Sequence, residues 1–472
     1  MNELTVYLDP NSTKKLYEQI YEYIVSEIRV GKLLYGERLP STRSLADSLG
    51  ISRSTAIFAY DQLQAEGYIE ARPYKGYFVC KVEDILKIES QEKQEEKKKE
   101  TVPARQYQID FSPNAIDMTL FPFDTWRKIT RNTLNDDRLE LFSPGSAQGD
   151  LNLRRTISRY LHSARGVSCE PERIIIGAGN EYLLMLLRYI LGEKRIVGME
   201  DPTYPRACHI MQSMEYDVRT VAMDSQGMSA RALYDIGADT AYVMPSHQYP
   251  TGRIMPIGRR TELLAWASKG EDRYLIEDDY DSEFRYQGKP IPSLQTSDRN
   301  GRVIYIGTFS KAIAPAIRIS YMVLPEQLMQ RYHERCSFLS STVSRIDQAT
   351  LNEFIQDGFF ERHLNKMRKH YRQKHDLMLT LLRGFEPDFS VSGENAGMYL
   401  LLTSKRGISG QEMADRAAAM NLKVYPLQDY LREYHEGTEA SWLSHTILLG
   451  FGGLTMDQIR AGLKLLQICL KR

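Results

Sequence analysis

The sequence predicts a multidomain chain, a small, mainly α head carrying a β wing, followed by a large α/β body. Three observations predict it. At 472 residues the chain is longer than one hydrophobic core supports. Its texture changes at residues 89–106, "ESQEKQEEKKKETVPARQ", where eight of the ten residues from Gln91 to Glu100 are charged and none is apolar. Beyond that point, short apolar runs ending in glycines or carboxylates alternate with longer helical stretches, the pattern of a sheet with helices packed on it. The charged run cannot bury a core and reads as a solvated tether. The expected boundaries are a head over 1–80, a linker over 81–106 and a body over 107–472.

Bulk composition narrows the function classes. Hydrophobic residues make up 42% and charged residues 26%, ordinary for a globular protein. The formal net charge is zero, which excludes a wholly basic nucleic-acid coat but leaves room for a local DNA footprint. Five cysteines (Cys80, Cys169, Cys208, Cys336, Cys469) fall without CxxC or Cys/His spacing. No metal site and no disulfide framework is expected, and a reducing cytoplasm is. The opening "MNELTVYLDP" reads as neither signal peptide nor membrane anchor, and no apolar run approaches the ~18 residues of a membrane span.

The head reads element by element. "KKLYEQIYEYIVSEIRVGKL" spaces Leu16, Ile20, Tyr23/Ile24 and Ile28 at helical intervals, and Gly31 stops the helix. Ser41 is placed to cap a short helix, "TRSLADSL", Gly50 turns the chain, and Ser52 caps a second helix, "RSTAIFAYDQLQAEG". Two helices joined by a tight glycine turn form a helix-turn-helix, whose second helix meets base edges with its first residues. "YIEARPYKGYFV" adds two short strands around a Pro-Tyr-Lys-Gly turn, a wing with Lys75 at its tip. Phe58 and Tyr60 are assigned to the core. In order and spacing, "LPSTRSLADSLGISRSTAIFAYDQLQAEGYI" followed by "KGYFV" resembles the GntR-type winged helix. The resemblance implies a double-stranded DNA operator contacted by Arg43, Ser52, Arg53, Ser54, Thr55 and Lys75, with Arg38 on a phosphate.

The body offers four chemical parts. "IIIGAGNEYLLMLL" is a strand, a glycine turn and a helix start, whose free N–H groups from Gly177 to Asn180 suit an anion. "EDPTYPR" sets Tyr204 two residues before Arg206, and an aromatic can stack on a flat ring. "IEDDYDSEF" ends an apolar strand in Glu277, Asp278, Asp279 and Asp281 around Tyr280, too many acids to bury without a cation or donors. "TFSKAIAPAIR" supplies Thr308, Ser310 and Lys311, with Arg318 able to clamp a phosphate. A lysine amine, a phosphate cup, a stacking aromatic and a carboxylate for a ring nitrogen together match pyridoxal 5'-phosphate (PLP).

At this point the body resembles the fold-type I PLP-dependent transferases. Its "GTFSK", "SHQYPTG" and "EDDYDSEF" segments are especially similar to the MocR/GabR-type regulators, which join a GntR head to an aminotransferase-like body. The resemblance spans about the whole chain. It implies that Lys311 is the Schiff-base lysine and that Asp278 meets the pyridine nitrogen, with Asp279 the alternative one position on. It implies that Tyr280 bonds the phenolic oxygen and Tyr204 stacks on the ring. The phosphate falls to Thr308, Ser310, Arg318, Gly179 and Asn180. It also implies a homodimer with two DNA half-sites, and an effector that is PLP itself, an amine, an amino acid or a dipeptide.

Two departures bear on activity. Where aminotransferases carry an asparagine before Pro-Thr-Gly, this chain has Tyr249, leaving His247 or Gln248 to support the cofactor oxygen. In "ILLGFGGLTMDQI", Gly452 and Gly453 stand where amino-acid-binding relatives place an arginine for the substrate carboxylate. Arg206 remains as the candidate effector-binding cation. The favoured reading is a PLP-responsive regulator with at most weak transamination; the alternative is a genuine aminotransferase with an accessory DNA-binding head.

Overall fold

The computed structural model of the protein describes residues 6–9, 12, 14–81, 106–286, 288, 291–432 and 440–471. The chain separates into two compact units, Met1–Arg105 and Gln106–Arg472. Of the expected linker over 81–106, residues 82 to 105 lie outside the described residues.

The head contains helices Leu16–Arg29, Thr42–Leu49 and Arg53–Ala65, then a hairpin of Ile69–Arg72 and Gly76–Val79. Ser41 accepts from the amide of Ser44, and Ser52 from that of Thr55, so both predicted caps satisfy a free N–H at their helix starts. Gly50 ends the middle helix at φ 63°, a left-handed conformation that glycine adopts without a Cβ clash. Ile20, Ile24 and Ile28 pack with Leu45, Ala56, Tyr60 and Leu63 into one core. Phe58 corrects the sequence reading. It is 62% exposed and only tilts against Tyr17, because it lies two positions before buried Tyr60 and so on another face of the helix.

The body is built on a seven-stranded sheet. Its order is Ile174–Gly177, Ser320–Val323, Val303–Thr308, Tyr274–Asp279, Thr240–Val243, Ile196–Asp201 and Asp217–Ala222. Only Ser320–Val323 runs against its neighbours. All but the edge strand Asp217–Ala222 are buried on both faces over nearly their whole length, which explains why they read as apolar runs without alternation. One face packs on helix Asn180–Leu191 through Leu183, Leu187 and Ile276; the other packs on helix Leu151–Arg165 through Leu153, Ile157 and Tyr305. In such a sheet the carboxyl ends of the parallel strands and their following loops form the ligand crevice. Asp278, Thr308 and the Gly177–Asn180 turn all lie at such ends.

A second, antiparallel sheet orders Phe389–Ser392, Tyr399–Ser404, Thr446–Gly450 and Tyr425–Pro426. It shares a core with helices Phe359–Leu382 and Met456–Lys471. The segment Ser112–Ala115 lies flush against the end of strand Thr446–Gly450. A Cβ at Gly450 would overlap the Ser112 carbonyl, one at Gly452 the Ala115 carbonyl, and one at Gly453 would stand 2.6 Å from the Ala115 Cβ. Gly450→Ala is therefore expected to destabilise the body by about 1–3 kcal/mol, since backbone rather than a flexible side chain must yield. Thermal denaturation of the body checks this.

Candidate cofactor and effector site

One cavity of the body, about 220 Å³, is lined by residues from each of the four segments read as chemical parts and by Tyr249 of "SHQYPTG". Lys311 follows the strand Val303–Thr308, and its Nζ donates to the carbonyls of Pro113 (3.3 Å) and Asn114 (3.1 Å). Burial pushes its pKa down to about 8, against a partial opposing pull from Asp281. A lysine so placed carries far more neutral amine at physiological pH than one at the surface.

The acid cluster sorts itself by partner. Glu277 accepts from the backbone amides of Leu294 (2.7 Å) and Gln295 (2.9 Å). Asp279 pairs with Arg165 at 2.7 Å and accepts from the Tyr305 hydroxyl at 2.5 Å. Asp281 sits 2.8 Å from His247 Nδ1. Asp278 alone of the four lines the cavity, and its partners are neutral: the Tyr242 hydroxyl and the Asn180 side-chain amide at 3.3 Å. Burial pushes the Asp278 carboxyl up to about 7, while the Tyr242 bond opposes it. A carboxylate held without a cation is the group that a protonated ring nitrogen stabilises. Asp279, the alternative, is already neutralised by Arg165.

The anion side is assembled from three elements. Thr308 Oγ1 accepts from the Ser310 amide (3.2 Å) and from the Ser320 hydroxyl (2.9 Å), which fixes the two hydroxyls beside Lys311. Arg318 holds its own backbone in the left-handed region at φ 54° and lies across Gly179, where any Cβ would collide with its guanidinium. That fixes glycine at 179. Asn180 begins the helix Asn180–Leu191 beside Asp278, and its buried Oδ1 has no protein partner among the described residues, an acceptor left over for a donor on the ligand rather than for its phosphate. These features fit a phosphorylated pyridine: orphan acceptor, cradle, arginine, hydroxyls and unneutralised acid.

Tyr204 lines the same cavity and meets Tyr249 edge-on, with ring centroids 5.7 Å apart. Tyr280 also lines it, its hydroxyl 2.9 Å from His247 Nδ1. His247 and Gln248 were the candidates to replace the missing asparagine, and neither lines the cavity. His247 is sealed behind Tyr280, between that ring and Asp281, so it reaches a ligand only through the Tyr280 hydroxyl. Gln248 is tied into the turn, donating to Pro202 O (2.9 Å) and accepting from the Thr251 amide (3.0 Å). The wall at this place is Tyr249 itself. Arg206, the candidate effector-binding cation, lines the cavity and meets Glu181 at 2.9 Å. Sequence reasoning missed Asn114 and Glu181, and read Tyr249 as a departure without assigning it to the cavity wall. Glu181 sat inside a quoted motif, one position past the anion turn, and its charge was the available signal.

In the head, Arg43, Arg53, Ser54 and Lys75 are exposed. Ser52 caps the helix as predicted, and its hydroxyl also lies 2.8 Å from both the Ser54 and Thr55 hydroxyls. Lys75 shares the wing tip with Tyr74 at φ 61°.

Residues 16–79 match the family model described as "Bacterial regulatory proteins, gntR family", and residues 108–432 match "Aminotransferase class I and II". The chain is 38% identical to the uncharacterized HTH-type transcriptional regulator YdeL of Bacillus subtilis, over 99% of this chain and 100% of that protein. It is 33% identical to the pyridoxine biosynthesis regulator PdxR of Corynebacterium glutamicum, over 97% and 96% respectively. It is 30% identical to the probable rhizopine catabolism regulatory protein MocR of Rhizobium meliloti, over 98% and 94%. The chain belongs to the MocR/GabR-type transcriptional regulators. Its body also superimposes on Pyrococcus horikoshii kynurenine aminotransferase with a TM-score of 0.66 at 26% identity, covering 78% of this chain and 91% of that one. The gntR-type head of such a regulator implies DNA binding, and the class I/II body is the fold of PLP enzymes. Among the described residues no helix is long and apolar enough to cross a membrane.

Proposed function

We propose that this MocR-type regulator binds PLP covalently through Lys311 and that the occupancy of that site sets how its head holds DNA. The observation that carries the reading is a single cavity that joins a buried, low-pKa lysine to a carboxylate lacking a cation. When bound, PLP supplies an aldehyde that condenses reversibly with primary amines. Lys311 offers the neutral amine for that bond. Asp278 holds a proton on the ring nitrogen, Tyr204 covers the ring face, and Tyr280, positioned by His247, bonds the ring oxygen. Thr308, Ser310, Arg318 and the Gly179–Asn180 turn take the phosphate.

Regulation rather than turnover is favoured by the Gly452–Gly453 strand end. Ala115 fills the space beside Gly453, where a side chain able to grip an α-carboxylate would have to start. The effector we favour is PLP itself, a reading supported by the pyridoxine-biosynthesis role in the name of the PdxR relative. An amine, a non-α amino acid held by Arg206 or a dipeptide are the other members of the class. A homodimer acting in the cytoplasm is part of the proposal, with two heads on two half-sites.

The test is fluorescence anisotropy of the full-length protein on its operator DNA, with and without PLP. A shift in affinity of severalfold on adding PLP supports the reading, and identical curves sink it. In the same assay Arg53→Ala is expected to lose at least tenfold in affinity, because it removes a base-edge contact. Lys75→Ala is expected to weaken all sequences alike and to lower the salt slope by about one, as the loss of one phosphate contact does.

A further inference from the structure

Glu181 stands one residue inside the helix that closes the anion cup, and it lines the cavity together with Arg206 and Arg318. An acid in the first turn of a helix is ordinarily a partner for the helix dipole. This one does more. Its Oε1 accepts from Arg206 at 2.9 Å and its Oε2 from Arg318 at 2.5 Å, so a single carboxylate ties together two guanidinium groups from separate elements. Arg318 comes from the loop after Lys311, Arg206 from the first turn of helix Pro205–Ser213. Both arginines keep one face to solvent, at 46% and 63% exposure, whereas Glu181 is 29% exposed. Burial would raise its carboxyl, but the bonds from Arg318, its own amide and Arg206 hold it down at about 2.

We propose that Glu181 is a tethered competitor anion, which decides what this site accepts by occupying both of its arginines until a ligand displaces it. The inference rests on the reading of the cavity as a PLP site and deepens it. A phosphate seated on Arg318 must displace Glu181 Oε2 from that guanidinium, and anion–anion repulsion then loosens the hold of Oε1 on Arg206. Arg206 becomes available for a second anion only after the first has bound. The ligand class that follows is a phosphate-bearing molecule first, and an amine carrying a carboxylate second. A ligand with no anionic group gains nothing from either arginine.

The test uses the full-length protein and Glu181→Gln, titrated by calorimetry with inorganic phosphate, PLP and unphosphorylated pyridoxal. Glu181→Gln is expected to bind inorganic phosphate and PLP about five- to tenfold more tightly than the wild type, with no gain for pyridoxal. Equal or weaker phosphate binding would overturn the proposal and make Glu181 a positioning residue for the arginines. Equal melting temperatures of the two unliganded proteins would exclude a loosened fold as the source of the gain. Should the variant not fold, a wild-type structure with phosphate decides: Glu181 swung away from Arg318 supports the proposal, and both ion pairs intact overturn it. The two readings separate. A Lys311-dependent spectral band with unchanged phosphate affinity keeps the cofactor and discards the competitor. A tighter Glu181→Gln with no such band in either protein does the reverse.

Discussion

Lys311→Ala is expected to abolish the visible absorption band that forms when PLP is added to the wild-type protein. No other primary amine among the cavity-lining residues can replace it. Phosphate and ring contacts survive in the variant, so PLP still binds, but weakly and without a covalent bond. The pH dependence gives the assignment a second handle. The nucleophile is the neutral amine, and burial brings Lys311 from its ordinary 10.5 down to about 8. At pH 7 about one tenth of it is neutral, against about one part in three thousand for a surface lysine. The rate of band formation should rise with pH and level off above about 8. A rate still climbing tenfold per unit beyond pH 9 would show that the amine is not depressed. The linkage sign is consistent: the folded chain holds fewer protons on this group than the unfolded chain between about 8 and 10.5. Its contribution to stability therefore rises with pH across that window. A band that persists in Lys311→Ala would move the covalent site elsewhere.

Much of this site was legible because its chemistry is local. A strand end, a glycine turn and a helix start are each written in five or six consecutive residues, so Lys311 and Arg318 could be picked out by type and spacing, while Asp278 was preferred over Asp279 only through the family resemblance. The four acids of "EDDYD" could be counted but not sorted. Which of them faces the cavity depends on partners far along the chain: Leu294 and Gln295 for Glu277, Arg165 for Asp279, His247 for Asp281. The same limit hid Asn114, which touches Lys311 across 197 residues of chain. Gly453 was legible as a departure, yet its cause, the Ala115 segment lying against it, was not. In the head the caps were readable from Ser41, Gly50 and Ser52. Phe58 was misplaced because an aromatic beside a helix core is ordinarily buried, and here the helix face decided otherwise.

Arg165→Met is expected to destabilise the body by about 3–5 kcal/mol, the largest effect on stability of any single substitution argued for this chain. Arg165 ends the helix Leu151–Arg165, and its guanidinium is almost wholly enclosed. Nε meets Asp279 at 2.7 Å, one Nη donates to the Ile291 carbonyl at 2.5 Å, and the other to the Ser246 hydroxyl at 2.8 Å. Methionine fills much of the volume but leaves the buried Asp279 without its cation and, among the described residues, served only by the Tyr305 hydroxyl. The cost is thus that of an abandoned charge more than of a lost bond. That distinction is measurable. Arg165→Met combined with Asp279→Leu removes both charges and should recover part of the loss, whereas a simple packing defect would add the two penalties. Asp279 adjoins Asp278 on the same strand, so the single variant should also weaken PLP binding by unsettling the residue that meets the ring. Thermal denaturation of the two variants, with and without PLP, reads both effects. A double variant no more stable than Arg165→Met would mean that the ion pair is incidental and that shape alone holds this corner of the sheet.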